Sequence, residues 1–227
     1  PHRGSLVKSS PFFMAGNLPM TTTATSVTIR INGHSYRLPG LAALLSGGFE
    51  IAASLPCPLP ELLVEQVGVP NDYLKNRVQT LFLNGDPVDD VENTAVDEGD
   101  ALALSAAMPG LVGATMRKQG PLASMRRRIA PSGATPANTA DGRGHITVKL
   151  FNMVAEELGP VFLTCGVIIP AHTLLNFIGS AGELLERRIQ RVEVNQKPLT
   201  LADLSASLSR VKALRLTLLA APDPVIP

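Results

Sequence analysis

VQTLFLNGDPV, residues 78–88, reads as a strand, an Asn-Gly turn and a return strand, and IQRVEVNQKPL at 189–199 repeats the device. Asn-Gly between alternating apolar residues is a strong short-range hairpin signal, because the favoured two-residue turn needs positive φ at both central positions. Laid without a gap over 178–199, residues 67–88 pair Gly68 with Gly179, Leu74 with Leu185, Arg77 with Arg188, Gln79 with Gln190, Asn84 with Asn195 and Pro87 with Pro198, six identities in 22. Further pairs are conservative, among them Val78 with Ile189 and Leu83 with Val194. Apolar alternation alone matches cheaply by chance. A helix end, a turn Asn and a Pro carried along in register do not, so the stretch marks a duplication.

The likeness extends outward. VTIRI at 27–31 and ITVKL at 146–150 share the order apolar, Thr, apolar, basic, apolar, which puts three side chains on one face of a strand. Leu55 and Cys57 of SLPCPLPELL are matched with Leu163 and Cys165 of FLTCGVIIPAHTLL, and Pro60 or Pro170 then opens an apolar helical pattern. LALSAA at 102–107 corresponds to LRLTLLAA at 214–221 as the last strand, with DEGD at 97–100 as the turn before the first of these. Each copy is therefore expected to run strand, strand, helix, strand, short strand, strand. The offset of about 111 to 119 residues exceeds the 20 to 50 of solenoid repeats, which favours duplication of a whole small domain. Domain 1 is placed at 21–113, a basic flexible linker at 114–144 on its Pro, Gly, Ala and Arg content, and domain 2 at 145–222. Residues 1–20 are expected to be an expression-derived or disordered arm, with Met14 and Met20 as candidate starts.

The order of elements, together with LNGDPVDDVENTAVDEGDALALSAAMPG, resembles the ubiquitin-like β-grasp proteins, and within them the sulfur carriers of molybdopterin and thiamine synthesis. The resemblance implies an α+β protein of two tandem β-grasp domains, each a mixed sheet with one helix. A sulfur carrier of that kind uses the free carboxylate of a terminal Gly-Gly tail. Here Met108, Pro109 and Gly110 are followed by more than 100 residues, and the second copy ends APDPVIP. Thiocarboxylate chemistry would require proteolysis at Gly110 or Gly113.

Composition limits the partners. The 227 residues are 45% hydrophobic but 4% aromatic with no Trp, so the core must be aliphatic, and a net charge of +1 gives no global field to recruit nucleic acid or membrane. No apolar run reaches the roughly 18 residues of a membrane span. Two cysteines make neither a disulfide framework nor a thiolate zinc site, and a cytoplasmic location is expected.

Each candidate site has a bland reading beside a sharper one. Cys57 and Cys165 are either reactive thiols before a helix or small buried hydrophobes inherited by duplication. Asp86, Asp89, Asp90, Glu92, Asp97, Glu98 and Asp100 lack the spacing of a calcium loop and read as solvated hairpin loops, or as a partner for the linker. Arg117, Lys118, Arg126, Arg127 and Arg128 form a basic candidate interaction stretch, without the interleaved aromatics that stack on nucleobases. Gly110 and Gly113 punctuate an apolar exit from the first copy, a turn or a ligand-cradling loop. His2, His34, His145 and His172 show no metal-binding spacing, and no cofactor motif is found.

The expectation is a non-catalytic protein-binding or scaffold module, engaging a protein partner through a sheet face or open edge, with a homodimer as one arrangement. The alternatives are a small-ligand protein or enzyme with its site between the two domains, and a proteolytically activated sulfur carrier.

Overall fold

The computed structural model describes residues 25–32, 40–106, 116–118, 120 and 142–220. The strands are β1 (Thr25–Ile31), β2 (Phe49–Ser54), β3 (Cys57–Pro58), β4 (Thr80–Leu83), β5 (Asp86–Pro87), β6 (Ala95–Val96), β7 (Ala101–Ser105), β8 (Arg143–Phe151), β9 (Val167–Pro170), β10 (Ile189–Val194), β11 (Lys197–Leu199) and β12 (Ala213–Ala220). The helices are α1 (Leu41–Leu45), the π-helical α2 (Glu61–Gln66), α3 (Asn71–Asn76), α4 (Met153–Cys165), α5 (Ala171–Glu186) and α6 (Leu201–Leu208). The fold is α+β with a mixed sheet. Ten strands form one sheet in the order β11-β10-β1-β12-β9-β2-β8-β7-β4-β5, and β3 pairs with β6 apart from it.

The two halves of the sheet share one strand order, β2-β8-β7-β4-β5 and β9-β12-β1-β10-β11, so β1 stands where β7 does and β12 where β8 does. β8, which opens the second copy, lies between β2 and β7 of the first, parallel to β7. β1, which opens the first copy, lies between β10 and β12 of the second, parallel to β12. The two halves of the sheet meet at a seam between β2 and β9, where Glu50 is paired with Ile168.

The quoted hairpins sit at matching places in the two halves. Asn84 (φ 54) and Gly85 (φ 91) make the turn between β4 and β5, and Asn195 (φ 49) and Gln196 (φ 65) make the matching turn between β10 and β11. In each, the Asn clamps the strand beside its own: Ala101 N donates to Asn84 Oδ1 at 2.8 Å, and Ser26 N donates to Asn195 Oδ1 at 2.9 Å. The backbone N of Asn84 donates to Ala101 O, and that of Asn195 to Ser26 O, both at 2.8 Å. The clamp is thus the same in both copies, but it holds the last strand of its own copy in one and the first strand of the other copy in the other. Gln196 occupies a left-handed position that favours glycine. Gln196→Gly is expected to raise stability by about 0.5 to 1 kcal/mol, read as a shifted urea midpoint at unchanged slope.

Helices cover one face of the sheet. Val27, Ile29, Ile51, Val148, Leu102, Leu216 and their register partners point toward them and are buried. Phe49 meets Phe162 of α4 edge to face at 5.3 Å between ring centres. α1 and α4 lie between the first and second strands of their copies, and α6 precedes the last strand of the second, so each copy carries more helix than the single one expected. The match of Leu55 and Cys57 with Leu163 and Cys165 is corrected. Leu163 and Cys165 lie in α4, whose buried Val154, Ala155, Leu158, Phe162 and Leu163 recur at helical spacing, and the strand begins only after Gly166 (φ 90) ends that helix. Pro60 and Pro170 do immediately precede α2 and α5.

Candidate functional site

The sheet face away from the helices is the broadest candidate surface. Side chains alternate along a strand and register partners share a face, so the residues between the core positions can be laid out strand by strand. One row runs Ser26, Arg215, Ile168, Glu50, Thr147, Ala101 across β1, β12, β9, β2, β8 and β7. Toward the carboxyl ends of β1 and β12, Thr28 is flanked by Thr217 and Glu193, and Arg30 by Leu219 and Arg191. On β8, which runs the opposite way to β12, His145 and Arg143 lie on this same side of the row and Lys149 on the other. Arg30, Glu50, Ala52, Ser54, Arg143, His145, Lys149 and Arg191 are all exposed.

Arg191 is held by Glu193, Nε to Oε1 at 2.6 Å, and the Arg215 guanidinium donates from Nη2 to Cys165 O at 2.9 Å. A Cβ on Gly166 would lie 2.6 Å from Arg215 Nε, so glycine there is what lets that arginine lie down against the end of α4. Arg30, Arg143 and Lys149 make no ion pair among the described residues. The sheet ends on each side in a very short strand bearing a proline, Pro87 in β5 and Pro198 in β11. Short, proline-bearing edges discourage strand addition, so this sheet offers its face rather than its edges.

At the far side of that face, Thr80 and Ser105 are register partners and buried, with Oγ1 and Oγ unpaired, as is the buried Oε1 of Gln79. Lys118 lies next to Gln79: its backbone N donates to Gln79 O at 2.8 Å, and its Nζ donates to Leu74 O at 2.6 Å at the end of α3. Burial pulls its ammonium below the usual lysine range. Lys118 is therefore a structural tie, while Arg117 beside it is exposed. Gly110, Gly113, Arg126, Arg127 and Arg128 lie outside the described residues.

The two thiols do not occupy equivalent places. Cys57 is buried on β3, opposite Val96, and its Sγ accepts from Gln66 Nε2 at 3.5 Å. Gln66 also brackets the end of β2, accepting from Ser54 N at 2.8 Å and donating to Ser54 O at 3.1 Å. Cys165 ends α4, partly exposed, and its Sγ donates to Val67 O at 3.0 Å. Burial pushes both thiols up; the charge of Glu61 adds to this at Cys57, and Arg215 opposes it at Cys165. A raised thiol pKa leaves less thiolate at a given pH. Both cysteines are expected to react with iodoacetamide at pH 7.5 at least about tenfold more slowly than a cysteine in an unstructured peptide, as followed by intact mass.

A third cluster ties the copies together on the helix side. Glu157 of α4 accepts from the Tyr73 hydroxyl at 2.5 Å and from Arg77 Nη2 at 2.7 Å. Burial, then the bond to Glu157, holds the Tyr73 phenol well above its usual range. Only the neutral phenol can donate, so this bond is present below the ordinary tyrosine pKa and is lost as pH rises through the folded value. Of the acidic residues, Asp90 accepts from Asn93 N and Nδ2 in its own loop, and Asp100 is buried in the Asn84 clamp. Among the described residues no group of His, Cys, Asp and Glu could hold a metal ion, and no helix is long and apolar enough to cross a membrane.

Sequence reasoning missed Arg30, Arg143, Lys149, Arg191 and Arg215 as members of one surface. A signal was present in the basic fourth residue of both VTIRI and ITVKL, out of phase with the apolar positions. Comparison with family models, curated proteins and solved structures gives no match.

Proposed function

We propose that this chain is a non-catalytic protein-binding module made of two β-grasp-like halves that each take in one strand from the other end of the chain, and that it receives its partner on the open face of the sheet. One observation carries the reading: helices line a single face of a ten-stranded sheet, while across its centre the other presents exposed side chains from β1, β2, β8 and β10. The proline-bearing edge strands direct a partner to that face. The site chemistry supports binding over turnover. Tyr73, Arg77 and Glu157 satisfy one another, and both thiols are biased toward the unreactive protonated form.

The test is affinity capture from source cells with the tagged full chain, a face variant carrying Thr28→Trp and Thr147→Trp, and a helix-side variant carrying Glu61→Lys and Glu183→Lys. Thr28 and Thr147 lie on the open face, so a bulky ring there obstructs docking without entering the core. A protein recovered by the native and helix-side chains, and reduced at least about tenfold by the face variant, supports the reading. Equal recovery by all three, or recovery by none, removes it.

A further inference from the structure

The open face carries a local excess of cations, although the chain as a whole is nearly neutral. The helix side exposes both signs, Glu61, Glu65, Asp72, Glu156, Glu183 and Glu186 together with Lys75, Arg77, Arg187 and Arg210. On the open face, by contrast, Arg30, Arg143, Arg191, Arg215, Lys149 and His145 stand against Glu50 and Glu193, and Glu193 is already taken by Arg191.

The register places most of these cations at one end of the sheet. Arg30 and Arg191 are directly opposite each other on β1 and β10, a like-charge cross-strand pair in which Glu193 supplies a carboxylate to Arg191 and Arg30 has none among the described residues. Arg143 sits at the same height on β8, His145 two residues below it, and the Arg215 guanidinium is drawn toward this end by Cys165 O. From β10 to β8 the order is β10, β1, β12, β9, β2, β8, which at about 4.8 Å per strand makes a basic band about 24 Å wide. An extended chain rising about 3.3 Å per residue crosses that width in about seven residues.

We infer that the partner presents an acidic, extended protein segment of about that length, laid across the strands so that its carboxylates meet Arg30, Arg191, Arg215 and Arg143. The inference rests on the open face being the docking surface. Arginine favours a carboxylate partner because its planar fork can donate two parallel hydrogen bonds to one carboxylate. Glu193 already engages Arg191 through Nε at 2.6 Å at one point of the band. A nucleic-acid strand is the less fitting occupant. Phe82 and Phe151, the phenylalanines of this face, lie on β4 and at the opposite end of β8, away from the cations whose phosphate contacts they would have to accompany.

The experiment uses the full chain and a fluorescein-labelled peptide of alternating Glu and Gly, with fluorescein-labelled oligo(dT) of equal charge as the competing probe, followed by anisotropy. The peptide is expected to bind the native chain, to bind an Arg30→Glu, Arg143→Glu variant at least about tenfold more weakly, and to bind an Arg187→Glu, Arg210→Glu helix-side variant within about twofold of native. Circular dichroism of each variant identifies any that fails to fold, in which case Arg30→Gln, Arg143→Gln takes its place with a loss of at least about threefold expected. Equal binding by the face and helix-side variants, or oligo(dT) binding tighter than the peptide, overturns the inference. If native-cell capture is lost with Thr28→Trp, Thr147→Trp but unchanged with Arg30→Glu, Arg143→Glu, the open face stands and the acidic partner falls.

Discussion

Residues 1–120 and 121–227, produced as separate chains, are expected to remain unfolded or aggregate, and produced together to co-elute as one equimolar body with a single cooperative unfolding transition. The reason is that each half of the sheet contains a strand from the other end of the chain, β8 in one and β1 in the other. Without β1, β10 and β12 lose the strand that lies between them; without β8, β2 and β7 lose theirs. β1 contributes Val27, Ile29 and Ile31 to the core, and β8 contributes Ile146, Val148 and Leu150, all at most 3% exposed. At about 1.5 to 3 kcal/mol for each side chain, the six represent roughly 9 to 18 kcal/mol of gross burial. That is comparable with the entire net stability of an ordinary domain, about 5 to 15 kcal/mol. Neither half can forgo it. For the same reason a chain cut by a protease at a site introduced within 121–141 should stay assembled through size-exclusion chromatography and come apart only in denaturant. A cooperative melt from either half alone, or separation of the cut halves in native buffer, would show that β1 and β8 do not hold the molecule together.

The two hairpins were legible because their marks are local. Asn84 and Asn195 both sit at positive φ, as a two-residue hairpin turn requires, and each joins two strands, although β4 does not alternate, Thr80 and Leu81 both being buried. VTIRI and ITVKL are both strands with three buried side chains. What could not be read was where those strands go. Alternation states which side of a strand is apolar and says nothing about which neighbour it pairs with, and the long stretch between the copies leaves either destination within reach. α4 was missed for a related reason: a short apolar window such as FLTCGVII fits a strand or a buried helix, and Gly166 divides it between the two. The basic face was half legible. Arg30 and Lys149 stand out of phase with the core within their own strands, but their joining with Arg143, Arg191 and Arg215 depends on pairings between distant segments.

Asp100→Ala is expected to cost about 3 kcal/mol of unfolding free energy, and Asn195→Ala only about 1, because the two clamps share a geometry but differ in their support. Asp100 is 5% exposed. Its Oδ1 accepts from Asn84 Nδ2 at 2.7 Å, and its Oδ2 accepts from Asp97 N at 2.8 Å. The carboxylate therefore holds the Asn84 amide in the orientation in which its Oδ1 receives Ala101 N, and it closes the DEGD turn at the same time. Truncation leaves the Asn84 amide N–H and the Asp97 backbone N–H, both in part-buried bonds, without their acceptor, and each donor so orphaned costs about 1 to 3 kcal/mol. Asp100→Asn keeps one acceptor but turns an NH2 toward a donor, so an intermediate loss of about 2 kcal/mol is expected. In the other clamp the residue corresponding to Asp100 is Thr25, at the start of β1, and Asn195 Oδ1 receives Ser26 N without a carboxylate behind it. Losing Asn195 forfeits one backbone bond near solvent. Urea unfolding of the three variants measures all of this, and a double-mutant cycle between Asn84→Ala and Asp100→Ala should return a coupling of at least about 1 kcal/mol. Additivity of those two substitutions, or equal losses for Asp100→Ala and Asn195→Ala, would mean that the carboxylate is not what orients the turn amide.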